Sequence, residues 1–513
     1  MFKTVTDYLD KTAETFPEKK AFFFDKREIT FREIQSEAKK IAGEITRLGI
    51  FDKPICILMD KRAECICSMM GILYSGNFYT VLDADMPQAR MNKILEVLNP
   101  CVLITCSEFK GMASELFEKN AFLKELMIYE DIISGSENDL EKTDAAIKKA
   151  YEKIDYNATM FVLFTSGSTG VPKGVIIQHK AFPAYLGWYR DTFNFDENTV
   201  FANQTPFYFI MSCPDIFLTI MLGASCHVVP KKSFSFPMVT LEYLKERRVN
   251  TLYWVPSVLC LIANFRALPE LHLDDLKTVI FGGEVMPSKQ LNMWKKEYPD
   301  VTFANLYGPT ETTEMISYFM INREIKDDES LPIGIPASYI KVMLLDDNNE
   351  EVKDGGIGEL CAAGISISPG YYNNPEKTKE VFALNPLYKD GDDPDTKNMY
   401  RTGDLARFDE NGDLIYMGRK DFQIKHMGNR IELGEIETAV SAIDGVDSNC
   451  CLYDTKRSKI VLFYSGKISE DEINDKLKDL LPNYMIPNRI ERLNKMPVNL
   501  NGKTDRTALK DMI

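Results

Sequence analysis

A chain of 513 residues is too long for one hydrophobic core, so two or more domains are expected. Its composition, 45% hydrophobic and 27% charged, is typical of a globular protein, and no apolar run is long enough to predict a membrane span. The formal net charge of −15 argues against nucleic acid as a partner, because binding a polyphosphate requires a basic surface.

The start of the chain lacks the apolar segment and small-residue cleavage site of a signal peptide, which predicts a cytoplasmic protein. None of the close cysteine pairs has the two-residue gap of a zinc or redox site. The four histidines form no HExxH pattern. We therefore do not expect a metal centre built from protein ligands alone.

The first 400 residues alternate helix-like stretches with short apolar runs at 54–59, 101–105, 161–164, 278–281 and 301–306. This alternation predicts parallel sheets covered by helices. After Gly355 and Gly356 the pattern changes to short strands and turns, and the Asn411-Gly412 step favours a hairpin between residues 405–408 and 414–417. A small barrel-like subdomain is expected there.

Beyond residue 419 the sequence predicts a helix at 432–443, a strand at 460–464 and a helix at 470–480. These elements suit a compact α+β domain. The predicted fold class is thus α/β, with an N-terminal domain at 1–419 that contains helix-covered β-sheets and a small β-barrel-like subdomain. A small α+β domain at 420–513 follows it.

A loop rich in glycine and hydroxyl side chains follows the apolar run at 161–164. Glycines let backbone N–H groups approach an anion, hydroxyls donate further hydrogen bonds, and a lysine adds a positive charge. The pattern differs from a Walker P-loop, because Pro172 precedes Lys173 and Gly174 follows it. The alternative is a flexible turn without a ligand. The candidate phosphate-binding residues are Thr165, Ser166, Gly167, Ser168, Thr169, Gly170 and Lys173.

Further segments follow in chain order: NLYGPTET at 305–312, YRTGD at 400–404, GRKDFQIK at 418–425, GNRIE at 428–432 and NGKTDR at 501–506. With the loop, they make the chain resemble the acyl-adenylate-forming superfamily over essentially its whole length. That superfamily includes non-ribosomal peptide synthetase adenylation domains, D-alanine:carrier-protein ligases, acyl-CoA synthetases and luciferases. The resemblance implies a ligase that uses ATP and Mg²⁺ to convert a carboxylic acid into an acyl-adenylate with release of pyrophosphate.

The resemblance also implies roles for individual residues. Lys503 would bridge the acyl carboxylate and the α-phosphate as the catalytic cation, with Thr310 bonding phosphate and Glu311 holding Mg²⁺. Tyr307 would stack on adenine, and Asp404 would accept both ribose hydroxyls. The other nucleotide-binding positions are Asn305, Gly308 and Arg419.

Asp421 matches the hinge residue of the superfamily, where the C-terminal domain rotates between adenylation and thioester formation. This rotation would remove Lys503 from the site and bring Gly428 near a tunnel for the incoming thiol. Lys425 would support the second state.

Within the superfamily the chain most resembles D-alanine:carrier-protein ligases and amino-acid adenylation domains. Those enzymes carry an aspartate for the substrate's α-ammonium directly after the phenylalanine that matches Phe209, but here the position is Ile210. Either the acid lacks an α-amino group, or its amine is met elsewhere, for example by Glu314. Glu314 is equally well interpreted as a solvated charge, and a structural role is expected for Asp215. The candidate acid pocket comprises Ile210, Met211, Pro214, Tyr253, Ile280, Gly282, Leu306, Glu314 and Met315.

The NGKTDR ending resembles enzymes that load carrier proteins. Since only seven residues follow Arg506, a phosphopantetheinylated acyl carrier protein is expected to act in trans. One alternative is an acyl-CoA synthetase, which would load coenzyme A. Another is a non-catalytic sensor that keeps the nucleotide pocket, although Lys503, Glu311 and Asp404 argue against it.

Overall fold

The structure is a computed structural model that describes residues 3–135, 140–167, 170–353, 355–497 and 504–513. The chain forms two compact units. The first is drawn from Met1–Ala84, Asn99–Leu163 and Val175–Gly418, and the second from Asp85–Leu98, Phe164–Gly174 and Arg419–Ile513. Two segments far from the C-terminus thus belong to the second unit. The predicted domain boundary between residues 419 and 420 stays a prediction.

The α-helices are α1 (Val5–Thr15), α2 (Phe31–Arg47), α3 (Ala63–Tyr74), α4 (Gln88–Leu98), α5 (Lys110–Lys119), α6 (Tyr129–Ser134), α7 (Leu140–Lys153), α8 (Ala181–Phe193), α9 (Cys213–Leu222), α10 (Pro237–Glu246), α11 (Pro256–Asn264), α12 (Ser288–Glu297), α13 (Pro375–Val381), α14 (Leu433–Ser441), α15 (Glu470–Leu480) and α16 (Arg506–Lys510). None of the described helices is long and apolar enough to cross a membrane.

The strands are β1 (Lys20–Phe23), β2 (Glu28–Thr30), β3 (Pro54–Leu58), β4 (Phe78–Leu82), β5 (Val102–Thr105), β6 (Glu125–Ile128), β7 (Thr159–Thr165), β8 (Lys173–Gln178), β9 (Val200–Asn203), β10 (Ser225–Val228), β11 (Thr251–Trp254), β12 (Thr278–Gly282), β13 (Thr302–Tyr307), β14 (Ser317–Met320), β15 (Ile335–Pro336), β16 (Ile340–Leu345), β17 (Gly358–Gly364), β18 (Phe382–Leu384), β19 (Asn398–Phe408), β20 (Leu414–Arg419), β21 (Gln423–His426), β22 (Asn429–Glu432), β23 (Val446–Asp454), β24 (Lys459–Gly466) and β25 (Arg489–Arg492).

Two large sheets organise the first unit. One has nine strands in the order β15-β14-β13-β12-β11-β9-β10-β1-β2, and its central pairs from β13 to β1 are parallel. The other has six strands in the order β6-β5-β3-β4-β7-β8. The strands β11 and β12 are buried at every residue, as expected for parallel strands covered on both faces. Side chains therefore leave the carboxyl ends of β11, β12 and β13 at one edge of the nine-stranded sheet.

A five-stranded sheet completes the first unit. Its order is β16-β17-β19-β18, with β20 also paired to β19. The predicted hairpin between residues 405–408 and 414–417 is confirmed as the β19–β20 connection. Gly412 adopts φ 84° in this turn, a backbone conformation that glycine reaches at little cost.

The second unit has its own core. Apolar side chains of α14, α15 and the three-stranded sheet β23-β24-β25 pack together, and they include Ile436, Leu462 and Ile473. Helix α15 begins at a capping box in which Ser469 accepts the Glu472 N–H and the Glu472 carboxylate accepts the Ser469 N–H. The α+β composition predicted for this part of the chain is confirmed.

Candidate active site

Tyr307 and Asp404, which the sequence assigns to adenine and ribose, are joined by a hydrogen bond in the first unit. Tyr307 ends strand β13, and Asp404 lies on β19. The Tyr307 hydroxyl donates to Asp404 Oδ2, and Asp404 is buried. The ring of Tyr416 lies 6.4 Å from that of Tyr307, between centroids. The structure thus combines an aromatic ring with a carboxylate, as recognition of a nucleoside requires.

Two neighbours of Tyr307 fix the backbone at this strand end. The Asn305 side chain is buried and donates to the Pro332 carbonyl at 2.8 Å. A Cβ atom at Gly308 would lie 2.1 Å from the Glu314 carbonyl oxygen, so only glycine fits there. Both residues therefore shape the turn after β13, and their predicted contacts with nucleotide stay predictions.

Glu311 lies in the short helical turn Thr310–Thr312 and is fully buried. The Tyr371 hydroxyl donates to Glu311 Oε1 at 2.7 Å, which orients the carboxylate. Among the described residues, no group of three or more histidine, cysteine, aspartate or glutamate side chains can hold a metal ion. Mg²⁺ commonly binds one or two carboxylates together with substrate phosphates and water. An oriented single carboxylate fits that mode, so Glu311 is a suitable ligand for magnesium that arrives with ATP.

The glycine- and hydroxyl-rich loop at 164–174 belongs to the second unit, where its donors meet carboxylates. The Gly167 N–H donates to Glu435 Oε2 at 3.1 Å, and Lys173 Nζ lies 3.2 Å from Glu432 Oε1. The Ser166 hydroxyl donates to the Arg430 carbonyl at 2.8 Å and accepts the Glu432 N–H at 3.2 Å. The loop therefore already binds anionic groups with a backbone N–H and a lysine. This chemistry fits phosphate.

The geometry of this loop also agrees with a close approach of ligand to backbone. A Cβ at Gly167 would lie 2.0 Å from the Val171 carbonyl oxygen, and Gly170 adopts φ 77°. The hydroxyl oxygen of Thr165 is buried and has no hydrogen-bond partner among the described residues. A buried hydroxyl without a partner costs free energy, which a phosphate oxygen would recover.

Arg90, on helix α4, forms a buried ion pair with Glu435 that the sequence did not indicate. Arg90 Nη1 lies 2.5 Å from Glu435 Oε1, and the two side chains are 4% and 3% exposed. On the same helix, Lys93 Nζ donates to the Gly170 carbonyl at 2.9 Å. Helix α4 therefore supports the loop from two points within the second unit.

The predicted hinge residue Asp421 is paired with Arg419. The Arg419 guanidinium donates to both carboxylate oxygens of Asp421, at 2.5 and 2.8 Å. Burial raises the pKa of Asp421, but the hydrogen bonds and charge of Arg419 outweigh it and hold that pKa below its usual range. Arg419 thus contacts the predicted hinge, while its predicted contact with nucleotide stays a prediction.

Gly428 lies at the tip of the hairpin between β21 and β22. Met427 and Gly428 adopt φ 50° and 76°, as in a two-residue type I′ turn. Lys425 is exposed on β21. The roles predicted for Gly428 in the thiol tunnel and for Lys425 in a second state stay predictions.

The residues predicted for the acid pocket all lie in the first unit. Tyr253 pairs with Ile280 across β11 and β12, and Gly282 pairs with Leu306 across β12 and β13. Ile210 and Met211 form a short helical turn before α9, and Pro214 begins that helix. The Met211 sulfur lies 3.1 Å from the position of a Cβ at Gly283. The structure therefore brings Met211 to the carboxyl end of β12, as a shared pocket requires.

Glu314, the carboxylate of this set, is enclosed by tyrosines. The Tyr189 hydroxyl donates to Glu314 Oε2 at 3.0 Å, the Tyr253 hydroxyl donates to Oε1 at 2.9 Å, and the Tyr185 hydroxyl also donates to Oε2. Glu314 is 3% exposed. The interpretation of Glu314 as a solvated charge is therefore wrong. Tyr185 and Tyr189 are four residues apart on α8, and this helical spacing was the available signal.

Asp215 is buried in a second polar cluster. The Asn203 amide donates to Asp215 Oδ2 at 3.0 Å, and Lys61 Nζ donates to Asn203 Oδ1 at 3.1 Å and to the Gln204 carbonyl at 2.9 Å. Burial raises the pKa of Asp215 well above its usual value and lowers that of Lys61 to about 8. Asp215 Oδ1 has no hydrogen-bond partner among the described residues. The bond to Asn203 agrees with the structural role expected for Asp215.

The predicted catalytic Lys503 and the loop residues Ser168 and Thr169 lie outside the described residues. Their roles stay predictions.

Comparisons with known proteins agree with the motifs. The model of the family described as AMP-binding enzyme matches residues 9–372. One relative, from the mycosubtilin synthase of Bacillus subtilis, is 32% identical over 522 residues, and the match covers 99% of this chain but only 19% of that protein. The L-proline--[L-prolyl-carrier protein] ligase of Streptomyces coelicolor is 30% identical, with 94% of this chain and 91% of that protein covered.

A solved structure shows the same fold. The chain aligns with holo-PA1221, a non-ribosomal peptide synthetase protein containing adenylation and carrier (PCP) domains, with a TM-score of 0.81 at 21% identity. The alignment covers 99% of this chain and 84% of that one. The predicted fold class, a large domain of helix-covered sheets followed by a smaller domain, is confirmed.

Proposed function

Since the chain belongs to the AMP-binding enzyme family, we propose that it activates a carboxylic acid as an acyl-adenylate at the expense of ATP and transfers the acyl group to a carrier protein. The predicted superfamily and enzyme class, a ligase, are confirmed by the family match and by the carrier-protein ligase matched over 91% of its length. The identities of the acid and the acceptor go beyond these matches.

The bonded pair of Tyr307 and Asp404 is the observation that carries the proposal. An aromatic ring offers a face for adenine, and a buried carboxylate can accept both hydroxyls of a ribose. Glu311 follows Tyr307 after three residues, with its carboxylate oriented by Tyr371. One strand end and its turn therefore supply groups for the nucleoside and for phosphate-bound magnesium, as ATP requires.

Two displacements follow from this assignment. In the first, a carboxylate oxygen of the acid attacks the α-phosphorus, an O–P bond forms, and the bond to the β-phosphate breaks to release pyrophosphate. In the second, the phosphopantetheine thiolate attacks the acyl carbon, a C–S bond forms, and the C–O bond breaks to release AMP. Magnesium supplies positive charge that offsets the charge of the phosphates.

The residues of this chain bind and orient the reactants. We assign the nucleoside to Tyr307 and Asp404, phosphate oxygens to Thr310 and the 164–174 loop, and the bridging charge to Lys503. Two anions must meet in the first displacement, so a fixed cation lowers its barrier by offsetting their repulsion.

The acceptor that we favour is a separate phosphopantetheinylated carrier protein. The NGKTDR ending and the likeness to a carrier-protein ligase that is covered almost completely support it. The D-alanine-type subclass remains a prediction, as does the cytoplasmic location. Coenzyme A is the alternative acceptor.

Exchange of labelled pyrophosphate into ATP tests adenylate formation. We expect exchange that depends on an added acid, from a panel of D- and L-amino acids, β-amino acids and simple acids. Asp404→Ala should lower kcat/KM for ATP by about 100-fold, since a carboxylate bonded to two hydroxyls is lost. Lys503→Ala should abolish exchange or reduce it severely.

Glu410→Gln is the matched control, because Glu410 is an exposed carboxylate on the same part of the chain. It should leave exchange unchanged. Nucleotide binding without exchange for every acid would support the sensor instead. Thioester formation with free coenzyme A but not with a panel of holo-carrier proteins would support an acyl-CoA synthetase.

A further inference from the structure

The predicted acid pocket has moved its negative charge from one wall to another. At Ile210, where the amino-acid enzymes that this chain resembles carry the aspartate for an α-ammonium, the side chain is apolar and buried. An ammonium group beside Ile210 would have no charge partner. Among the nine predicted pocket residues the carboxylate is Glu314, which follows the 310–312 turn. A charged part of the substrate can therefore be matched only at a different position.

The tyrosine cage holds this carboxylate without neutralising it. Hydroxyls of Tyr185 and Tyr189, from α8, and of Tyr253, from β11, all donate to Glu314. Donated hydrogen bonds satisfy the carboxylate oxygens, but the negative charge remains. No ion pair of the described residues includes Glu314. The site is built for an anion, and its cation is not among the side chains described around it.

The surroundings of Glu314 contain acidic and neutral groups rather than a cation. Those that act on it electrostatically are Tyr185, Tyr189, Tyr253, Tyr339, Cys213 and Asp215. Burial raises the pKa of Glu314 to about 8, against the opposing effect of the three tyrosine hydrogen bonds. Asp215 adds a second buried carboxylate, with one oxygen lacking a hydrogen-bond partner among the described residues. A cationic group in this region would stabilise the ionised form of Glu314.

The backbone at this point is held in an unusual conformation. Thr313 and Glu314 are consecutive non-glycine residues with φ of 55° and 80°. Non-glycine residues rarely adopt this region, and such conformations concentrate at ligand sites. Tyr339 donates to the carbonyl of Met315 at 3.0 Å and so helps to hold the segment. The fold thus fixes Glu314 in place before any substrate arrives.

We propose that Glu314 in its tyrosine cage is the ammonium receptor of the acid pocket, and that the substrate is an amino acid whose amine lies beyond the α-carbon, such as a β-amino acid. This rests on the proposed function, since it states which class of acid is adenylated. Ile210 then packs against the carbon skeleton where an α-amine would otherwise lie.

Two sets of acids test the position of the amine on a constant skeleton. One is 2-, 3- and 4-aminobutanoate with butanoate, and the other is 2-amino-3-phenylpropanoate and 3-amino-3-phenylpropanoate with 3-phenylpropanoate. In the exchange assay we expect the acids with the amine beyond the α-carbon to give the highest kcat/KM. A preference for the 2-amino acid, or for the acid without an amine, would overturn the proposal. If no acid supports exchange, the proposed function itself fails.

Glu314→Gln tests the receptor, since the amide oxygen still accepts hydrogen bonds while the charge is gone. It should lower kcat/KM for the preferred amino acid by about 100-fold, as for a buried charge left unpaired. The matching acid without an amine should change far less. Equal losses for both acids would contradict a charge receptor. Tyr189→Phe, which removes one donor and keeps the charge, should reduce the preference by less than Glu314→Gln.

Calorimetry supplies a readout that needs no catalysis. At pH 7 the binding of the amino acid should release protons, because the ammonium favours the ionised form of a group whose pKa is about 8. Affinity should therefore weaken as the pH falls from 8.5 to 6.5. The acid without an amine, and Glu314→Gln, should show no such release, which is measured from binding enthalpies in buffers of different ionisation enthalpy. Binding of the amino acid without proton release would overturn the proposal.

Discussion

The carboxylate of Glu435 accepts the backbone N–H of Gly167 at 3.1 Å, within the loop that the sequence assigns to phosphate. Lys173 of the same loop lies 3.2 Å from Glu432. Both contacts lie within the second unit and use the donors that a phosphate would need. The carboxylates and the triphosphate therefore compete for the same groups.

This competition predicts that Glu432→Gln binds ATP more tightly than the wild type. The variant keeps the hydrogen bond of the side chain but frees Lys173 from a negative charge. We expect the Kd for ATP to fall about three- to tenfold, as for the loss of one partly buried ion pair. Fluorescence titration with a labelled ATP analogue measures it.

The control for that titration is Asp447→Asn, which removes an exposed carboxylate from the second unit. It changes net charge by the same amount, so its Kd for ATP should match the wild type. An equal gain in both variants would show a general charge effect instead of competition at Lys173.

The buried pair of Arg90 and Glu435 predicts a stability effect. Arg90→Ala leaves Glu435 buried without its charge partner and should lower the free energy of unfolding by about 3–5 kcal/mol. Arg90→Met combined with Glu435→Leu removes both charges and should recover much of that loss. Urea unfolding measures the change. Arg248→Ala, which breaks an exposed pair with Asp275, should leave the midpoint unchanged. Equal effects of Arg90→Ala and Arg248→Ala would contradict the prediction.

Gly282 predicts how tightly the acid pocket is packed. A Cβ there would lie 2.7 Å from the carbonyl oxygen of Leu306, so β12 or its neighbour must shift to accept Gly282→Ala. We expect KM for the acid to rise about tenfold while KM for ATP stays the same, because only the pocket wall moves. Gly187→Ala, on α8 with open space around its Cβ, is the control that should leave both KM values unchanged. A rise in both KM values for Gly282→Ala would indicate a wider distortion.

His179 predicts a pH dependence of stability. Its side chain is buried, and burial lowers its pKa to about 4. The unfolded chain then binds a proton between pH 6.5 and 4 that the folded chain does not. Stability is therefore complete above pH 6.5 and falls by up to ~3 kcal/mol as the pH drops towards 4. His179→Gln should reduce this slope in urea unfolding, and an unchanged slope would contradict the prediction.

Local patterns explain which parts of the fold could be predicted from the sequence. Apolar runs indicated strands such as Thr278–Gly282, and the capping pattern at Ser469 marked the start of α15. Most of the candidate site residues were identified through family motifs, because those motifs are contiguous. The structure then showed Tyr307 bonded to Asp404, 97 positions apart.

The remaining features depend on contacts between distant residues. Glu314 meets Tyr185 across 129 positions, and Arg90 meets Glu435 across 345. A single sequence carries no signal for pairing at that separation, since each residue alone resembles an ordinary surface charge or core aromatic. The assignment of segments 85–98 and 164–174 to the second unit was unpredictable for the same reason.

The fate of the carboxylate oxygen tests the proposed chemistry most directly. An acid labelled with ¹⁸O in both carboxylate oxygens is converted with ATP and its acceptor, and the AMP is analysed by mass spectrometry. If the acid attacks the α-phosphorus, AMP carries one ¹⁸O atom after the acyl group has been transferred. Release of unlabelled AMP, or label in inorganic phosphate with ADP as the nucleotide product, would contradict an acyl-adenylate.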